Sequence, residues 1–163
     1  MRESSSARIL LGAAVVFGVF LVRNAGLNQP APPFSLPETY GGQVDLASYR
    51  GRPVLLVFWS ASCSICRREL PLVNRLAPEL RDKGMGVVAI HLGGEDEARD
   101  YVSSNHIDLT CLVDSDGTVG RAYGVSGIPK LVLIGNDGKV KRTREGLASD
   151  GMLRDWANAV TGN

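Results

Sequence analysis

Apolar and polar positions divide this chain into two unlike parts. Ile9 to Val22 is a run of 14 residues with 12 apolar side chains, two glycines and no charge. Arg2 and Arg8 precede it and Arg23 closes it. A run that is apolar on every face does not suit a helix on the surface of a soluble core. Behind basic residues it suits the h-region of a cleaved signal peptide or a signal anchor. As a helix at about 1.5 Å per residue it spans roughly 21 Å, short of the ~30 Å hydrocarbon core. Ser4–Ala7 extends it if Arg8 snorkels. Cleavage after Ala25 would place Arg23 at −3, which is not an A-x-A-like site. The expectation is a signal anchor over residues 1–23, a linker over 24–33 and a folded domain over 34–163. That domain then lies on the extracytoplasmic side of the membrane, or is released there if the segment is cleaved.

After Pro33 the pattern changes to short alternating and periodic stretches. Phe34–Leu36 and Gln43–Val44, joined across Gly41-Gly42, read as a small hairpin. Asp45 is placed to cap a short helical turn ending before Gly51. Val54–Trp59 is continuously apolar, the mark of a strand buried on both faces. Cys66–Lys83 reads as a helix, with Leu70, Val73, Leu76, Ala77 and Leu80 at helical spacing and Gly84 as its stop. Pro71 lies inside it and is expected to kink it. Met85–Leu92 predicts a second buried strand, Glu95–Asn105 an acidic-headed helix and Thr110–Val113 a short strand. Asp114–Gly117 reads as a turn. Leu131–Ile134 and Lys139–Arg144 form a hairpin across Asn136-Asp137-Gly138. Ser149 caps a last helix running through Val160. The early βαβ order implies parallel strands and the late hairpin adds antiparallel ones. The fold class is therefore α/β, a mixed central sheet flanked by helices on both faces.

Charge sharpens this little. The chain has 163 residues with 18 Lys+Arg against 17 Asp+Glu, and residues 24–163 carry 15 basic and 16 acidic side chains. Such a balance offers no basic face for nucleic acid. Three cysteines are too few for a disulfide scaffold in a chain of this length.

The candidate chemistry is Cys63-Ser64-Ile65-Cys66, where a buried strand hands over to a helix. Free N–H groups and the positive dipole end of the helix stabilise a thiolate at Cys63. Cys66, one turn on, can resolve a mixed disulfide formed there. Glu69, three residues later on the same helical face, can take the Cys66 proton, or can be an ordinary surface acid. A zinc half-site is the other reading of the pair, but it needs two more ligands, and Cys111, His91 and His106 form no second close pair.

The segment Phe58-Trp59-Ser60-Ala61-Ser62-Cys63-Ser64-Ile65-Cys66-Arg67-Arg68-Glu69-Leu70-Pro71, with the later Ile128-Pro129, resembles the active site of the thioredoxin superfamily. More narrowly it resembles the membrane-anchored TlpA/ResA/DsbE group of thiol–disulfide oxidoreductases, from about Pro32 to Val160. The resemblance implies a thioredoxin-like fold with Cys63 as nucleophile, Cys66 as resolving thiol and Glu69 as the acid of this group. It makes Ile128-Pro129 the cis-proline loop facing the cysteines. There the Ile128 backbone meets an extended substrate, and Trp59 is the aromatic beside the site, unless it is plain core. The implied activity is reduction of disulfides in exported proteins, with apocytochrome c as the leading candidate. Electrons would come from a membrane-embedded thiol carrier, and no cofactor or metal is needed beyond the redox-active pair. Two departures stand out: Lys130 follows the proline where Thr is common, and Ser64-Ile65 replaces the frequent X-Pro dipeptide.

Three alternatives remain, one of them a redox-inert binding module that would tolerate Cys63→Ser. A peroxiredoxin-like thiol peroxidase needs P-x-x-x-T-x-x-C, whereas Leu56 and Ser60 hold the −7 and −3 positions from Cys63. A Cu(I)-binding assembly factor would use a wider cysteine pair and a distant histidine. Cys111 reads as a small core residue or a regulatory disulfide partner. His91 ends a strand near the expected active-site edge and reads as a satisfied structural histidine, and His106 reads as solvent-facing. Lys139–Arg144 reads as the wet face of an edge strand.

Overall fold

The computed structural model describes residues 26–162. The apolar run Ile9–Val22 and the anchor expected over 1–23 lie outside them. Among the described residues no helix is long and apolar enough to cross a membrane.

Five strands form the main sheet in the order β5-β4-β3-β6-β7: β3 (Val54–Trp59), β4 (Gly86–His91), β5 (Thr110–Val113), β6 (Lys130–Ile134) and β7 (Val140–Glu145). β3, β4 and β5 run parallel, while β6 and β7 add antiparallel pairs. β1 (Ser35–Pro37) and β2 (Gln43–Asp45) make a separate two-stranded sheet. The continuous apolar run of β3 is explained by its central place, since every residue in it is buried. Leu55, Val57 and Trp59 face a core built with α1 (Cys66–Asp82), α4 (Asp150–Thr161) and the inner side of α2 (Glu95–Ser104). Val54, Leu56 and Phe58 face the opposite core, with Phe34 and Leu36 from the hairpin and Tyr123. Each of these large side chains contributes about 1.5–3 kcal/mol by leaving water.

Helix α1 buries the face its periodicity predicts, and adds Cys66 and Glu69 to it. It runs through Pro71 and also Pro78. Pro71 has no N–H for the Arg67 carbonyl, and the Tyr101 hydroxyl donates to that carbonyl instead, at 3.4 Å.

Three expectations change. Asp45 precedes a 3-10 turn over Leu46–Tyr49, but its side chain caps nothing; Ser48 Oγ donates to the Asp45 carbonyl at 2.6 Å. The turn at Asp114–Gly117 leads into a short helix, α3 (Thr118–Ala122). The buried Asp114 carboxylate accepts from the Val119 and Gly120 N–H groups at 3.2 and 2.7 Å. Five residues are too few for a periodic signal. Finally, part of the segment read as linker is docked: Asn28 and Ala31 donate to the Val140 and Gly138 carbonyls at 2.7 and 3.0 Å. Beyond Val140, β7 turns its basic residues to solvent at the sheet edge, as expected. Ser149 caps α4 through the Met152 N–H at 3.2 Å.

Candidate active site

Strand register assembles the site. Phe58 pairs with Lys130 in the antiparallel β3–β6 ladder. Residues that follow Trp59 therefore lie beside residues that precede Lys130. This sets the Ser60–Cys63 turn against Ile128-Pro129, whose peptide bond is cis.

Cys63 closes that turn by donating its N–H to the Ser60 carbonyl at 3.2 Å. Helix α1 starts at Cys66 with no side-chain cap. The Cys63 sulfur takes that place, accepting the Cys66 N–H at 3.2 Å. The Cys63 thiol also points to the Ile128 carbonyl, 3.7 Å away. Cys63 is partly exposed and Cys66 buried, and both are free thiols. Burial, reinforced by the hydrogen bond with Cys63, pushes the Cys66 thiol up to about 12. At neutral pH it needs a base to become a nucleophile.

Glu69 lies one turn further along the same buried face and is fully enclosed. Its Oε2 accepts the Ala148 N–H at 2.9 Å, while Oε1 is buried without a partner. Burial raises this carboxyl above its ordinary value; the Ala148 bond and the Arg144 guanidinium act against the rise. A buried carboxylate with one free oxygen is suited to accept a proton.

Trp59, expected beside the site as a substrate-binding aromatic or else in the core, is fully buried. It packs under the cysteines, 4.8 Å from the His91 ring and 5.1 Å from Tyr101, so any influence on substrate passes through this packing. Pro129 is buried and Ile128 half-buried. Lys130 brings little free charge to the groove: its Nζ donates to the Gly124 carbonyl at 2.7 Å and lies 3.7 Å from Glu145. Cys111 is buried on β5, its thiol pushed up to about 12 by the same loss of solvent. His106 is exposed. Among the described residues no three His, Cys, Asp or Glu side chains are grouped to hold a metal ion.

Residues 27–143 match the model of the AhpC/TSA family. The chain belongs to the AhpC/TSA family. Its curated relatives include the thiol-disulfide oxidoreductase ResA of Bacillus subtilis (strain 168), 30% identical over 131 residues, which are 80% of this chain and 73% of that protein. ResA of Geobacillus thermodenitrificans is 31% identical over 134 residues, 81% of this chain and 77% of the relative. A solved structure described as a thiol:disulfide interchange protein DsbE from Chlorobium tepidum superposes with a TM-score of 0.79 at 30% identity. It covers 85% of this chain and 100% of its own. Within the AhpC/TSA family the chain is thus a thiol–disulfide oxidoreductase of the ResA/DsbE type, with a thioredoxin-like fold.

The sequence puts His91 near the site, at the end of its strand, but gives neither its bond to the Ala61 N–H nor the Ala148 partner of Glu69. Both are long-range contacts with no local signature.

Proposed function

We propose that this oxidoreductase is exported, tethered by its N-terminal segment, and reduces disulfides in other exported proteins. Apocytochrome c is the leading substrate and a membrane-embedded thiol carrier the source of electrons. The observation that carries the chemistry is the Cys63 sulfur, held between the Cys66 N–H and the Ile128 carbonyl of the cis-proline loop.

The Cys63 thiolate attacks one sulfur of a substrate disulfide. An S–S bond forms between Cys63 and substrate, and the other substrate sulfur leaves as a thiolate. The Cys66 N–H, at the positive end of α1, stabilises negative charge on Cys63. Cys66 then gives its proton to Glu69 and attacks the Cys63 sulfur. The second substrate thiolate leaves, so the substrate gains two electrons and the Cys63–Cys66 pair becomes a disulfide. The backbone of half-buried Ile128, next to Cys63, is where an extended substrate segment pairs, in the manner of an added strand. No cofactor enters this cycle. The re-formed dithiol comes from exchange with the membrane carrier.

The test is trapping in intact cells with full-length Cys66→Ser. Without its resolving thiol the protein should accumulate as a mixed disulfide through Cys63 with exported proteins, identified by mass spectrometry after acid quenching. Recovery of cytoplasmic partners alone, or of none, would sink the reading.

A further inference from the structure

Strand β4 ends on His91, directly opposite Trp59 in the parallel register. The imidazole is fully buried. It stands edge-on to the Trp59 ring, with centroids 4.8 Å apart and planes at 71°. Its Nε2 accepts the Ala61 N–H at 3.2 Å. Nδ1 is buried beside the Gly93 backbone and makes no hydrogen bond of good geometry. The one well-formed hydrogen bond of the ring is to the turn that carries Cys63.

That turn has few other internal fastenings. Cys63 N–H closes it on the Ser60 carbonyl, and Ser60 Oγ and Ser62 Oγ lie 2.9 Å apart. The Ala61 N–H points inward, where a main-chain donor needs an acceptor. Its acceptor is the His91 Nε2, while the neighbouring Trp59 carbonyl accepts from the Leu92 N–H at 2.8 Å. An imidazole accepts at Nε2 only when neutral and carrying its proton on Nδ1. The fold makes room for that ring: at Gly93, where φ is +144°, a Cβ would lie 3.0 Å from His91 Cε1.

We propose that His91 is a positioning residue for thiol–disulfide exchange: as a neutral acceptor it fixes the Ala61 N–H, and thereby the turn that aims the Cys63 sulfur at an incoming disulfide. This role rests on Cys63 being the attacking thiol. Protonated His91 has no acceptor to offer and sets an N–H against the Ala61 N–H. The charged groups around it are unequal. Glu97 on α2 places Oε2 3.9 Å from Nε2. The Asp114 carboxylate, beyond β5, is already committed to the Val119 and Gly120 N–H groups. The Cys66 thiol on α1 and the Tyr101 hydroxyl on α2 are both raised by burial and stay uncharged at neutral pH. An imidazolium would therefore turn to Glu97 and leave the turn unpinned.

The experiment compares full-length wild type, His91→Gln and His91→Phe. Gln can carry an acceptor oxygen to the Nε2 position, whereas Phe keeps the ring and removes the acceptor. The readout is the second-order rate of Cys63 with oxidised glutathione at pH 7. The expected result is a loss of roughly ten- to a hundredfold in His91→Phe, the scale of a small misplacement of a reacting atom, with most of the rate restored in His91→Gln. A folded His91→Phe protein that reacts at the wild-type rate overturns the proposal. If His91→Phe does not fold, wild type decides the matter by NMR. A scalar coupling between the Ala61 amide nitrogen and His91 Nε2 supports it, and absence of that coupling overturns it. Cys63→Ser separates the two levels of argument. If exchange survives Cys63→Ser, the assignment of the nucleophile is wrong. If exchange requires Cys63 yet ignores the His91 acceptor, only the role of His91 falls.

Discussion

The Glu69 carboxylate accepts a hydrogen bond from the Ala148 N–H, 79 positions along the chain, at 2.9 Å. Its other oxygen is buried and unpartnered. One oxygen thus ties helix α1 to the segment before α4, and the other is left for chemistry. Burial raises this carboxyl, so the folded chain holds its proton to higher pH than the unfolded one. Its contribution to stability is present below about pH 4.5 and is lost as pH rises through the folded value. Glu69→Gln, which keeps an acceptor for Ala148, should therefore be more stable than wild type at pH 8 and not at pH 4. It should also slow resolution of the mixed disulfide by about a hundredfold or more. Urea midpoints at the two pH values and stopped-flow release of a substrate thiol check both halves. Unchanged release in a folded Glu69→Gln protein would remove Glu69 from the mechanism.

The three thiols should differ sharply in reactivity. Cys66 and Cys111 are buried and each is pushed up to about 12, so both stay protonated at neutral pH. Cys63 is partly exposed. Iodoacetamide at pH 7 should label Cys63 alone, with the other two reacting only after unfolding. Peptide mass mapping of the alkylated protein reads this directly, and early labelling of Cys111 would contradict it.

His91 carries a pH signature of the opposite sign to Glu69. Burial lowers the imidazole below its ordinary value, against the pull of Glu97 and the Gly93 backbone. Below about pH 6.5 the unfolded chain takes up a proton that the folded one refuses. Stability from this group is complete above that pH and falls as pH drops toward the folded value. The difference in unfolding free energy between wild type and His91→Gln should thus shift against wild type from pH 7.5 to pH 5. A pH-independent difference would mean that His91 is not held neutral.

Asp114 holds the first turn of α3, through two buried N–H groups. Asp114→Ala leaves both donors without an acceptor and should cost about 1–3 kcal/mol. Urea denaturation gives the total, and amide exchange at Val119 and Gly120 shows whether the loss is local. Wild-type protection at both amides would show that another group caps the helix.

The central strands, the long helices and the cysteine pair were legible because each is written locally. Val54–Trp59 has nothing polar to expose, and the apolar spacing from Leu70 to Leu80 fits only one helical face. The strand-to-helix junction at Cys63 follows from those two neighbours. The short helix α3 was not legible, since one turn fixed by an aspartate resembles any polar turn. For Trp59 the sequence left open whether it stands beside the site or in the core, because a residue type does not reveal depth; it is fully buried, packed against His91 and Tyr101.

Sequence by itself determined the order of elements, the chemical identity of the Cys63/Cys66 pair and its place at a helix start, because hydrophobic period and helix ends are properties of neighbouring residues. Only the tertiary structure decided what stands against that pair. The β3–β6 register carried Ile128 to Cys63, β4 brought His91 under Ala61, and the segment before α4 took one oxygen of Glu69. Those partners lie 65, 30 and 79 positions away. Which distant groups meet is set by strand pairing and close packing, and neither leaves a mark at the residues that meet.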